Sequence, residues 1–97
     1  MAIKSAIEVF LPEVIGWRRD FHRHPELGFE VHRTAGRVAE LLRGFGCDVV
    51  ETGIGRTGVV AVIEGRSRGR GIGLRADMDA LPIIEPTGLV YASTVPG

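Results

Sequence analysis

Ninety-seven residues suffice for one small domain with a modest core. The chain is 44% hydrophobic and 25% charged, and Lys+Arg and Asp+Glu total 12 each, so a formal charge of zero offers no footprint for nucleic acid or an anionic surface. One cysteine, Cys47, excludes an internal disulfide and fits a reducing compartment, the cytoplasm, where it reads as a small buried apolar residue.

In chain order, residues 1–17 mix Ile, Val and Phe with Glu8 and Glu13, which is not the pattern of a secretory leader, and no apolar run reaches the length of a membrane span. Ile3, Ile7, Phe10, Val14, Trp17 and Phe21 recur at alternating steps of four and three, one stripe of an amphipathic helix. Pro12 removes a helical hydrogen bond, so the pattern predicts a short first turn and then a helix with Pro12 near its start. That helix should end before Pro25. Val31, Ala35, Val38, Leu42 and Phe45 repeat the stripe for a second helix. Glu26 and Glu30 lie near its beginning, where the helix dipole favours acids, and Gly44 or Gly46 can end it.

The period then changes. Asp48 to Thr52 and Gly58 to Glu64 are short β-branched runs separated by a glycine-rich loop, Gly53 to Gly58. Ser67 to Gly71 reads as a basic turn, and Gly71 to Arg75 as a third strand. The predicted order is α-α-β-β-β followed by an irregular tail, with no repeat, linker or low-complexity segment.

Several motifs compete for a functional role. Gly53, Gly55 and Gly58 spell G-x-G-x-x-G after a strand, with Asp77 and Asp79 about 20 residues on, but a dinucleotide site needs a helix N-terminus next. Val59 to Ile63 follows instead, so a hairpin loop is predicted. Arg66, Arg68 and Arg70 have no interleaved aromatics and read as a solvated turn rather than a phosphate loop. His22 and His24 diverge on a helix and form no ready chelate, which favours structural or loop-anchoring roles over a metal. His32 falls on the exposed side of the second helix.

Arg75-Ala76-Asp77-Met78-Asp79-Ala80-Leu81-Pro82 is the most informative stretch. In an extended segment Arg75, Asp77 and Asp79 share a face, and two acids with a cation at the end of an apolar run suggest a site. Three readings stay open at this level. The acids could stand beside a metal centre, as ligands or behind them. They could resemble the Asp-x-Asp of haloacid-dehalogenase phosphotransferases, although Arg75 interrupts the strand and Leu81 stands where Thr or Val is expected. They could also cap a turn, with Arg75 satisfying them, in a non-catalytic folded module.

Several segments together are similar to one family. Trp17 to Glu30, with its Phe21-His22-Arg23-His24-Pro25-Glu26 run, resembles the opening of the metal-dependent amidohydrolases and metallopeptidases that include hippurate hydrolase, N-acyl-amino-acid amidohydrolases and indole-acetyl-amino-acid hydrolases. Thr52-Gly53-Ile54-Gly55, Thr57-Gly58-Val59-Val60, Leu74 to Ile83, Glu85, Thr87-Gly88-Leu89 and Tyr91-Ala92-Ser93 resemble the segments that follow, in order.

The resemblance implies an α/β fold: two N-terminal helices followed by the first three strands of a mixed sheet, an incomplete portion of a dinuclear-metal catalytic domain. A smaller inserted domain, often dimerising, would be absent, and the parent would be a homo-oligomer. It further implies a parent that hydrolyses N-acyl or N-aroyl amino acids with a water activated by zinc or manganese. The family's Cys-Gly-His-Asp ligand segment follows a Pro-Gly like Pro96-Gly97, so its metal ligands are expected beyond Gly97. Asp77 and Asp79 match the acidic motif. Asp79 is expected to orient a ligand from behind, and Asp77 stands where sibling branches place a histidine ligand. The 97-residue chain alone is expected to be inactive, to hold no metal tightly, and to be marginal or aggregation-prone.

Overall fold

A computed structural model describes residues 2–67, 69–85 and 87–95, with side chains from residue 5 onward. Arg68, Pro96, Gly97 and the side chain of Ile3, all used above, lie outside the described residues. The elements run α1 (Ala2–Arg23), α2 (His32–Gly44), β1 (Val49–Ile54) and β2 (Gly58–Val62). They fall into two compact units, Met1–Pro25 with Pro82–Gly97, and Glu26–Leu81.

In the first unit α1 is a single helix of 22 residues that carries Pro12 inside it, not a short turn followed by a separate helix. A proline costs one backbone bond and some crowding, and a helix that already propagates on both sides of it absorbs that locally. The helix ends ahead of Pro25, where the His24 N–H reaches the carbonyls of Asp20 and Phe21, both at 3.2 Å. Ile7, Phe10 and Val14 of its apolar stripe are exposed.

In the second unit a turn closed by Glu30 N–H on Leu27 O (2.9 Å), with Gly28 at φ 53°, leads into α2. Its first helical bond runs from Ala35 N–H to Val31 O. At the other end Phe45 is the C-cap, and Gly46 at φ 83° takes the left-handed position that glycine fills without strain. β1 and β2 pair antiparallel, Val49 with Val62, Val50 with Ala61 and Glu51 with Val60, then Ile54 with Gly58 after an irregularity. The loop predicted from Gly53 to Gly58 is a hairpin turn of residues 55–57 only, because β1 runs on through Ile54 and β2 begins at Gly58, and no helix follows the glycines. Gly58 is required by close approach: a Cβ there would lie 2.5 Å from the Ile54 carbonyl oxygen. Asp48 closes the open end of the hairpin, its N–H donating to Val62 O (2.9 Å) and its Oδ2 accepting from Glu64 N–H (2.5 Å).

One face of α2 packs on both strands. The hydrophobic residues buried among those described are Val31 and Ala39, joined by the polar Thr34 and Thr57. Cys47 is a free, half-buried thiol.

The third strand predicted for Gly71 to Arg75 does not form, and the sheet has two antiparallel strands rather than a mixed set of three. A strand exists by exchanging backbone hydrogen bonds with a neighbour, and Gly71 and Gly73 add an entropic penalty to ordering without one. Ile72 and Leu74 stand 93% and 96% exposed. The segment regains order at Ala80, which forms an isolated parallel bridge with Leu27.

Candidate functional site

The acidic stretch begins in the exposed segment just described. Arg75 and Asp77 share a face as the extended spacing requires, and Arg75 Nη2 lies 2.9 Å from Asp77 Oδ1. Both side chains are largely in water, at 87% and 67% exposed, so the pair contributes little to stability. Its geometric effect is to occupy one oxygen of Asp77. Asp79 is exposed as well.

What fixes the end of the stretch is backbone. Ala80 N–H donates to Glu26 O at 2.7 Å, beside the Leu27–Ala80 bridge, so the residue after Asp79 is pinned to the segment that enters α2. The side chain of the same Glu26 works on the helix. Its Oε1 accepts from Thr34 N–H at 2.6 Å and its Oε2 from Arg33 N–H at 3.1 Å. Those amides belong to the first turn, which has no intrahelical acceptor, and the cap residue Val31 has no side chain to supply one. Burial raises the Glu26 carboxyl pKa, but hydrogen bonds from the Thr34 side chain and from the Thr34 and Arg33 amides, with the charge of His32, outweigh it and the net shift is downward. One residue thus anchors the acidic stretch with its carbonyl and caps α2 with its carboxylate.

A second polar cluster lies in the other unit. His22, from the last turn of α1, places Nε2 2.9 Å from Glu85 Oε2. Thr87 Oγ1 donates to the same oxygen, and Ser93 N–H donates to Oε1 at 2.8 Å. These bonds, Thr87 foremost, then His22 and Ser93, take the Glu85 carboxyl down to about 2 against weak opposition from desolvation. Tyr91 closes the cluster. Its ring stands edge-on to His22 at 5.8 Å and lies 4.4 Å beneath the Arg19 guanidinium. Nothing in the local sequence around His22 marked Glu85 as its partner, because 63 residues separate them. His22 thus ties the end of α1 to the segment that carries Glu85.

The residues present do not fit a dinuclear metal centre. Among those described, no three His, Cys, Asp or Glu side chains converge on a point where an ion could sit. Asp77 is paired with Arg75, and His22 and Glu85 are engaged with each other. No chemical step can therefore be routed through a metal on these side chains.

Comparisons with known proteins give the site its context. No protein-family profile matches the chain, and no solved structure matches it. Individual proteins do. The chain is 42% identical over 95 residues to the N-acyl-L-amino acid amidohydrolase of Geobacillus stearothermophilus, covering 98% of this chain and 25% of that protein. It is 46% identical over 90 residues to the hippurate hydrolase of Campylobacter jejuni, covering 86% and 23%. It is also 48% identical over 97 residues to a protein of Rhodococcus jostii named for glutamate–cysteine ligase 2-3, covering 100% of this chain and 12% of that protein. The chain is thus similar to a fragment of proteins named as amidohydrolases, hippurate hydrolase and deacetylases. It spans about a quarter of the length of the amidohydrolases it matches. No helix among the described residues is long and apolar enough to cross a membrane.

Proposed function

We propose that this chain is part of the catalytic domain of a cytoplasmic amidohydrolase that cleaves the amide bond of N-acyl or N-aroyl amino acids, releasing a carboxylate and a free amino acid. The observation that carries the reading is 42% identity to an N-acyl-L-amino acid amidohydrolase over 98% of this chain. Within such an enzyme Asp79 is a positioning residue, held in place because Ala80 is bonded to Glu26, and Asp77 is a structural partner of Arg75. The groups that hold zinc or manganese and activate water come from outside these residues. The exposed Ile72 and Leu74 become a strand when further chain supplies its backbone partner, and the complete enzyme is a homo-oligomer.

The test is a transplant. The segment replaces its 95-residue counterpart in the Geobacillus enzyme, and release of the free amino acid from N-acetyl amino acids and of benzoate from hippurate is measured with zinc or manganese present. The chimera is expected to be active, its Asp79→Asn version to lose at least tenfold in kcat with folding intact, and the isolated 97-residue chain to release nothing. A folded chimera with no activity, or metal-dependent hydrolysis by the isolated chain, overturns the proposal. Accumulation of an acyl phosphate on Asp77 with a phosphate ester would favour the phosphotransferase reading instead.

A further inference from the structure

Glu85 and residues 87–95 fold back onto the end of α1 around one carboxylate. Glu85 Oε1 takes the N–H of Ser93, eight residues later, and so closes the segment into a loop. Glu85 Oε2 takes the hydroxyl of Thr87 inside that loop and Nε2 of His22 on the helix. Next to it, Thr94 donates both its N–H (2.9 Å) and its Oγ1 (3.0 Å) to Arg23 O, at the end of α1 where the last carbonyls have no intrahelical donor. The Arg19 guanidinium over Tyr91 covers the outer side.

We infer that Glu85 is a positioning residue whose carboxylate shapes residues 87–95 into a strap on the C-terminal end of α1, with His22 as its tether, so that the course of the chain from residue 87 through Val95 is set from the helix. The reason is connectivity. The carboxylate joins three points (a helix residue, a residue two further on, and a residue eight further on), and an acceptor-only group meets three donors without conflict. Among the described residues no other side chain in the segment links both ends of the loop to α1. The Glu85 side chain is 15% exposed, so its bonds are partly shielded from competition by water. The depressed carboxyl pKa agrees with this, since it measures how strongly the surroundings favour the charged acceptor.

The test is amide hydrogen exchange on the chain carried in the folded Geobacillus chimera, read at Ser93 and Thr94, with the α2 amides of the other unit as internal reference. In the unaltered chain both amides are expected to be protected. Glu85→Ala should raise their exchange at least fivefold and leave α2 unchanged. Glu85→Gln is the rescue variant: its amide oxygen can still accept from Ser93, and its NH₂ can donate to His22, whose imidazole changes tautomer to accept. It should hold both rates within about twofold of the unaltered chain, a margin below that of one lost hydrogen bond. His22→Ala should deprotect Thr94 more than Ser93, because the loop keeps its closing bond and loses its tether. Unprotected Ser93 and Thr94 in the unaltered chain, or unchanged protection in Glu85→Ala, overturns the inference. Should Glu85→Ala also deprotect α2, the rescue variant decides: protection retained supports the strap, and protection lost overturns it.

Discussion

Three donors converge on the Glu85 carboxylate, from Thr87, His22 and Ser93, and its folded pKa of about 2 lies below the ordinary 4.5. A carboxyl lowered on folding contributes stability that is complete above its unfolded value and lost as pH falls through its folded value. The hold on residues 87–95 should therefore be constant from neutral pH to about 4.5 and weaken between there and about 2. The titratable and charged groups that face this cluster are His22, bonded to the carboxylate, and Arg19, over the Tyr91 ring. The Ser93 amide chemical shift followed against pH checks this. Its midpoint should fall near 2, and a midpoint near 4.5 would mean that the donors do not hold the carboxylate.

At the level of elements, α2 starts without a side-chain cap of its own, and Glu26 supplies one from five residues upstream of Val31. Glu26→Ala removes the acceptors for the Arg33 and Thr34 amides but leaves the Glu26 carbonyl free to keep Ala80. The expected cost is about 1 kcal/mol, the usual size of a lost N-terminal cap. Loss of helicity by circular dichroism at the α2 end, with Ala80 N–H still protected from exchange, is the predicted signature. A loss of both would show that the side chain also holds the acidic stretch. The hairpin is less tolerant than the helix end. Any side chain at Gly58 meets the Ile54 carbonyl, and Arg56 already sits at φ 92°, where a non-glycine residue is strained.

For the whole molecule the decisive quantity is how little apolar surface is covered. Val31 and Ala39 are the buried hydrophobic residues among those described, while Ile7, Phe10, Ile63, Ile72, Leu74 and Ile84 face water. Apolar surface left open in this way favours association with other apolar surfaces. The isolated chain should bind a hydrophobic dye, self-associate as its concentration rises, and unfold in urea over a broad range. A sharp transition from a soluble monomer would contradict this.

The local pattern of residues was enough to place both helices and the hairpin, because a 3.6-residue apolar stripe and a β-branched run on either side of glycines each carry their own geometry. It was also enough to dismiss the glycine fingerprint, since Val59 to Ile63 suits a strand and no helix N-terminus follows. Pro12 was misjudged because its local cost is visible in sequence and the cooperativity of a long helix is not. The third strand was misjudged for the opposite reason: Gly71 to Arg75 has strand character, but a strand needs a neighbour's backbone, and that is a property of the fold. The acidic motif followed the same division. Its spacing determined that Arg75 and Asp77 share a face, whereas only tertiary structure decided that Glu26 pins Ala80 and that Glu85 meets His22 from 63 residues away. Periodicity is written residue by residue along the chain, while hydrogen-bond partners distant in sequence are chosen only when the chain has folded.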